Sequence, residues 1–279
     1  MSEKEKFESE FETEERELIV LVEESCMGAC CLGDNYLRPS VRFVASADPI
    51  TGCVNKNSGL LCWIIKDDKD RKNFGFVFEE YQIYKIRVRR ALPQATDGKN
   101  PIFDNKYMLL EILEEYVENK ELEEMKEYLL TPIVINNEYG EFELNRRFSE
   151  FEGQMFWTEC TVDVALNTDE YNGETANKAM EIFMNIAKNK EEFDKKCKEY
   201  SAKQLLELAK EWNEEDEDDE EEVDITEEDF IEAITMETIN ISSDGSINVY
   251  YDDGDLFFGH VIVVNIDENM QYESAHIAG

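Results

Sequence analysis

The sequence predicts an α+β protein in two parts. A β-rich amino-terminal domain, barrel- or sandwich-like, precedes a carboxyl-terminal domain of antiparallel β-meanders packed with helices. Between Leu18 and Leu92, short runs rich in β-branched and aromatic residues alternate with turn clusters such as "DPITG", "NKNSG" and "DDKDRKN". Beyond Ile133, runs of period two flank one long stretch of helical period. Hydrophobic residues make up 42% of the 279 and aromatics 11%, enough to fill real cores despite the heavy charge.

Taken in order, residues 1–17 ("MSEKEKFESEFETEERE") read as a charged tail. They are the opposite of a basic, apolar-centred signal peptide. "LIVLV" at 18–22 is too short to span a bilayer. "LIVLVEE", "SVRFVASA", "GLLCWIIK", "FGFVFEE" and "YQIYKIRVRRAL" then read as strands. In the stretch 107–130, Leu109, Leu110, Leu113, Tyr116 and Val117 recur at helical spacing, as do Leu122, Met125, Tyr128 and Leu129. Pro132 ends it, so the first domain is placed at 18–131 and the second at 132–279. In the second domain "EFELNRRF", "GQMFW" and "CTVDVAL" alternate as an antiparallel meander. Two helices broken around Asn189 follow, with apolar faces at Ala179, Ile182, Phe183, Ile186 and Ala187 and at Leu205, Leu206, Leu208 and Ala209. The nine acidic residues at 214–222 repel one another and read as a solvated loop. Thr226 and Asp229 are spaced as an N-cap and its capping-box partner.

The net charge of −38 narrows the function classes. A polyanion is repelled by nucleic-acid phosphates and by anionic membranes, so neither is expected as a partner; a basic protein is. Seven cysteines, with no secretion signal, argue for reduced thiols and a cytoplasmic location. One segment runs against the charge. Residues 66–106 hold ten Lys/Arg against seven Asp/Glu, and Lys85, Arg87 and Arg89 fall on one face of a strand. That face either docks on the protein's own acidic surface or forms an anion or partner site.

Candidate chemistry is sparse. "YYDDGDLFFGH" at 250–260 holds three aspartates and one of two histidines. Asp244-Gly245 and Asp253-Gly254 between alternating runs are hairpin signals, giving strands at 237–243, 246–252 and 255–264. In that register Asp255 and His260 point to opposite faces about 16 Å apart, so they cannot share a metal. His260 is then a core histidine beside Ile247, Val249 and Phe258; Asp252, Asp255 and His260 remain partner or ligand candidates. Cys26, Cys30 and Cys31, with Cys53 downstream, could bind zinc, but their spacing is not that of a zinc knuckle. The simpler reading is small packed thiols beside a glycine turn, and no cofactor is expected. The acidic run lacks the glycine and spaced ligands of an EF-hand loop. No P-loop, G-x-G-x-x-G, G-x-S-x-G or H-E-x-x-H pattern occurs, and two histidines offer few bases near neutral pH.

From about Ile133 to Gly279 the order of motifs resembles a bacterial family known as domain of unknown function 2262. The resemblance is carried by "GEFELNRRFSEFEGQMFW", "FDKKCKEYSAKQLLELAKEW", "ITEEDFIEAI", "INISSDGSINVYYDDGDLFFGHVIVV" and the terminal "IAG". It implies a shared scaffold that includes Asp253, Gly254, Asp255, Gly259 and His260, and it implies no catalytic residue. The expected function is therefore a non-enzymatic, acidic interaction module, one version being an inhibitor or immunity-type protein for a basic partner. The alternative is a metal- or small-ligand-dependent enzyme built on His260 or on Cys26, Cys30 and Cys31. A third idea, mimicry of nucleic acid, requires carboxylates in regular rows.

Overall fold

In the computed structural model, which describes residues 2–26, 28–33, 35–93, 105–214 and 225–279, the amino-terminal strands wrap into a closed ring. The chain divides into two units, Met1–Thr131 and Pro132–Gly279. The first contains α1 (Glu3–Glu8), β1 (Arg16–Val22), β2 (Ala29–Cys31), β3 (Tyr36–Ala47), β4 (Val54–Asn55), β5 (Gly59–Cys62), β6 (Ile65–Lys66), β7 (Ile83–Arg90), β8 (Lys106–Glu115) and α2 (Lys120–Leu130). Its ring runs β1–β7–β8–β5–β3 and back to β1, antiparallel throughout except for the parallel pair β5–β8. This is a five-stranded Greek-key barrel of the OB kind. The likeness is one of fold and carries no ligand with it.

Inward alternation fills the barrel with Val20, Val41, Phe43, Leu61, Ile86, Val88 and Leu109, among others. Two outer patches are covered by the helices. Leu122 of α2 packs with Leu21, Ala45, Ala47 and Ile83. Residues 2–17, expected as a charged tail, instead fold: Ser2 makes a capping box with Glu5 on α1, and Phe7 and Phe11 pack with Cys62 and Met108. Two buried rings hold down an otherwise charged segment.

Two further expectations fail, each for its own reason. The stretch at 106–115 is a strand, β8, and only 120–130 is helical. Tyr107 and Leu109 face the barrel core while Met108 joins the cluster around Phe7, so β8 is buried on both faces. Burial on both faces removes the alternation that marks a strand. "FGFVFEE" at 74–80 joins no ladder. Its rings gather on Trp63, with centroids 5.4 Å away for Phe76 and 6.0 Å for Phe78, and the Trp63 indole donates to the Phe74 carbonyl at 2.5 Å.

The second unit holds β9 (Val134–Asn137), β10 (Gly140–Asn145), β11 (Glu150–Phe156), β12 (Thr161–Asn167), α3 (Asn177–Lys188), α4 (Lys190–Glu214), α5 (Glu227–Ala233), β13 (Thr235–Ile241), β14 (Ile247–Asp252), β15 (Val261–Ile266) and β16 (Tyr272–Ala278). These strands form one eight-stranded sheet in sequence order. All neighbours are antiparallel except β12 and β13, whose parallel pairing requires a crossover, and that crossover carries all three helices. The helices bury one sheet face: Phe183 of α3, Phe193 and Leu205 of α4 and Phe230 of α5 join Phe142, Phe151, Val164, Ile239, Val249 and Val264. The break at Asn189 and the Thr226–Asp229 capping box lie where the spacing places them.

The start of α3 has no side-chain cap of its own. Asp169, just after β12, supplies one at a distance, accepting from the Asn177 backbone at 3.0 Å, the Asn177 amide at 2.9 Å and the Thr175 hydroxyl at 2.7 Å. Burial alone would raise its pKa, but these donors outweigh that and hold the carboxyl below its ordinary value.

Phe183 is fully buried and meets Phe142 edge-on at 5.2 Å and Tyr139 at 6.0 Å. Phe183→Ala is expected to cost about 3–5 kcal/mol, read as a lowered urea midpoint for the second unit.

Candidate functional site

The connection between β14 and β15 is held by an inward carboxylate. The expected two-residue Asp253-Gly254 turn does not form, and β15 begins at Val261, not at 255. Asp252 pairs with Val261, Tyr251 with Ile262, and the eight residues 253–260 make a loop. The cause is Asp253. Its side chain turns inward, 1% exposed, and accepts from the backbone N–H groups of Asp255 at 3.1 Å, Phe257 at 2.8 Å and Gly259 at 3.0 Å. One carboxylate thus organises three donors that a tight turn would have left elsewhere. The chain accommodates this with left-handed backbone at Gly254, Asp255, Phe258 and Gly259. Gly254 has φ +58, and a Cβ there would lie 2.5 Å from the Ala233 carbonyl oxygen.

His260 is consequently not in a strand and not a core residue beside Ile247, Val249 and Phe258. It ends the loop, half-buried, with Nδ1 2.5 Å from the Phe257 carbonyl oxygen. Trp212, in the last turn of α4, gathers the loop's rings. Its centroid lies 5.6 Å from Phe257, 5.7 Å from Phe258 in a stacked arrangement, and 5.2 Å from His260 edge-on. Phe257 is buried against Phe230, whereas Phe258 is 60% exposed. Asp252 and Asp255 are exposed at the same loop. Asp252 accepts from the Gly254 N–H at 3.0 Å. The acidic run follows Trp212 closely in sequence; its residues 215–222 lie outside the described residues.

The other candidates fall in the first unit. Cys30 and Cys31 are exposed on β2, Cys53 is exposed before β4, and the half-buried Cys26 thiol donates to the Gly28 carbonyl at 3.4 Å. Among the described residues, no three His, Cys, Asp or Glu side chains are grouped to hold a metal ion. The basic stripe is engaged by its neighbours: Lys85 pairs with Glu17 at 2.8 Å, Arg87 with Glu111 at 2.7 Å and Arg89 with Glu15 at 3.0 Å. Strand register brings this about, since β7 runs between β1 and β8 and Arg87 lies opposite both Glu17 and Glu111. The Lys85 ammonium holds the Glu17 carboxyl below its ordinary range.

Residues 136–277, half of the chain, match a family model described as "Uncharacterized protein conserved in bacteria (DUF2262)". The chain belongs to that family. Residues 3–129 match a second model, "Domain of unknown function (DUF7021)". No curated protein and no solved structure matches the chain. Among the described residues, no helix is long and apolar enough to cross a membrane.

The DUF2262 unit contributes two further groupings. Between α4 and the sheet, the Tyr251 hydroxyl donates to Asp194 at 2.9 Å, and the Cys197 thiol lies 3.9 Å from the Tyr272 hydroxyl. Burial pushes the Cys197 thiol up to about 12 and raises Asp194, whose neighbour Lys198 opposes the shift. A thiol so raised is protonated and inert at neutral pH. On the opposite, open face of the sheet, Asn240, Asn248, Asn265 and Ser274 form one row across four strands. The Asn265 amide donates to Asn248 at 2.7 Å, and the Ser274 hydroxyl donates to Asn265 at 2.8 Å. The row continues through Ala165 into Glu152 and Glu143, and Glu141, Glu150 and Asp163 share that face. Glu150 is raised by its own burial and by Glu152 beside it.

Asp253→Ala is expected to cost on the order of 3 kcal/mol by orphaning N–H groups that faced a charge. Amide hydrogen exchange at 255, 257 and 259 would quicken with it. Asp194 has the opposite sign to a stabilising carboxylate. Because its folded pKa lies above its unfolded one, its contribution is complete below the unfolded pKa and is lost as pH rises through the folded value. Asp194→Asn should therefore leave stability near pH 4 unchanged and raise it at pH 7, measured by urea unfolding at both.

Proposed function

We propose that this protein is a non-enzymatic, acidic cytosolic interaction module that captures a basic protein, in the manner of an inhibitor or immunity-type protein. The observation that carries this reading is the open face of the DUF2262 sheet. There Glu143 and Glu152 stand opposite each other on neighbouring strands, with Glu141, Glu150 and Asp163 on the same side. Like charges directly opposite in a sheet cost stability. A cationic surface laid across them turns that cost into attraction and speeds encounter. The amides of Asn145 and Gln154, which donate to Glu152 at 2.8 Å and Asp163 at 2.7 Å, hold two of these carboxylates in place. The ion pairs of the basic stripe add weight, because three of the chain's 28 Lys/Arg already serve its own carboxylates against 66 Asp/Glu.

The reading requires salt-sensitive capture. Immobilised full chain should retain basic proteins from a bacterial lysate at about 50 mM salt and release them within a Debye-length change to about 500 mM. No retention at low salt would sink the reading. The paired substitution Glu143→Gln with Glu152→Gln should weaken capture while raising thermal stability slightly, by about 0.5 kcal/mol.

A further inference from the structure

We propose that the Trp212–Phe258 stack is the seat for an arginine side chain of that basic partner. The proposal rests on the interaction reading above and locates its centre. Phe258 is placed at a cost twice over. Its backbone is left-handed at φ +56, which a bulky residue rarely adopts, and its ring is 60% exposed. The fold gains little by packing it, yet the Asp253 carboxylate, gripping the N–H groups on both sides of it at Phe257 and Gly259, fixes it there. The ring lies stacked, at an interplanar angle of 25°, on the half-buried Trp212. The result is a rigid aromatic surface with Glu211, Asp252 and Asp255 exposed in the adjoining sequence.

The chain shows what its other exposed phenylalanines do. Phe148 is 60% exposed and carries the Arg147 guanidinium 5.8 Å from its ring centre; Phe156 is 64% exposed and carries the Lys190 ammonium at 5.8 Å. Among the described residues, no cation lies over Phe258 or Trp212. A planar guanidinium fits best, because it stacks on the aromatic face while its edge donates to carboxylates. Central aromatic anchors with a charged surround are also the usual hot spots of protein interfaces.

The test uses full-length protein and two probes, octa-arginine and octa-lysine peptides. Trp63 and Trp157 are buried, so a change in tryptophan emission on binding reports Trp212. Wild type should bind octa-arginine more tightly than octa-lysine, with an emission change. Phe258→Ala should lose about fivefold in octa-arginine affinity with an unchanged salt slope, and Phe258→Trp should restore it. Phe258→Gly frees the left-handed backbone, so it should melt higher than wild type and still bind weakly, which separates lost binding from lost folding. Equal octa-arginine affinity for wild type and Phe258→Gly would overturn the seat and leave the charge-based reading intact. No binding of either peptide by wild type at low salt would overturn both.

Discussion

The parallel contact between β12 and β13 is the constraint on which the DUF2262 unit depends. Every other neighbour pair in that sheet is antiparallel and is joined by a connection of eight residues or fewer. One parallel pair cannot be joined that way. The chain must travel back along the sheet, and it does so as α3, α4 and α5, all on one side. The two faces thereby acquire different duties. One is sealed by Phe183, Leu205 and Phe230; the other keeps the Asn248–Asn265–Ser274 row and the carboxylates of β10, β11 and β12 in water. The crossover also carries Trp212 to the loop that Asp253 organises.

Charge is handled differently in the two units. In the barrel, register converts the one cationic strand into a set of ion pairs on its own neighbours. Such half-exposed pairs contribute little stability each, and they set the basic face against the unit's own carboxylates. In the second unit, register does the reverse by setting Glu143 against Glu152. Inside the same unit, burial raises the Asp194 carboxyl and the Cys197 thiol above their ordinary pKa values.

How much of this was legible depends on the range of the deciding interaction. The Thr226–Asp229 cap and the break at Asn189 are settled within a few residues, and the pattern of β10, β11 and β12 by a single buried face. The α+β class follows from such local signals. β8 was not legible because the barrel core buries one face of its first half and Phe7 and Phe11 cover the other, so alternation is lost there. The loop at 253–260 was not legible because Asp-Gly promises a tight turn and only the inward rotation of Asp253 cancels it. Asp252, Asp255 and His260 were singled out from their types, and they do lie on one loop. Trp212, which completes that group, carried no sequence signal beyond being an aromatic residue near a helix end.

The eight-stranded sheet never closes on itself. Among the described residues, β9 and β16 each pair on one side only, leaving two ladders of backbone donors and acceptors open. Such edges invite a second copy to add on, strand by strand. At a net charge of −38, copies meet a repulsive barrier before their edges can touch. The carboxylates that carry the proposed capture of a basic partner therefore also oppose this edge-to-edge addition. Acidification toward the isoelectric point near 4.3 removes that barrier, and the open edges then favour self-association.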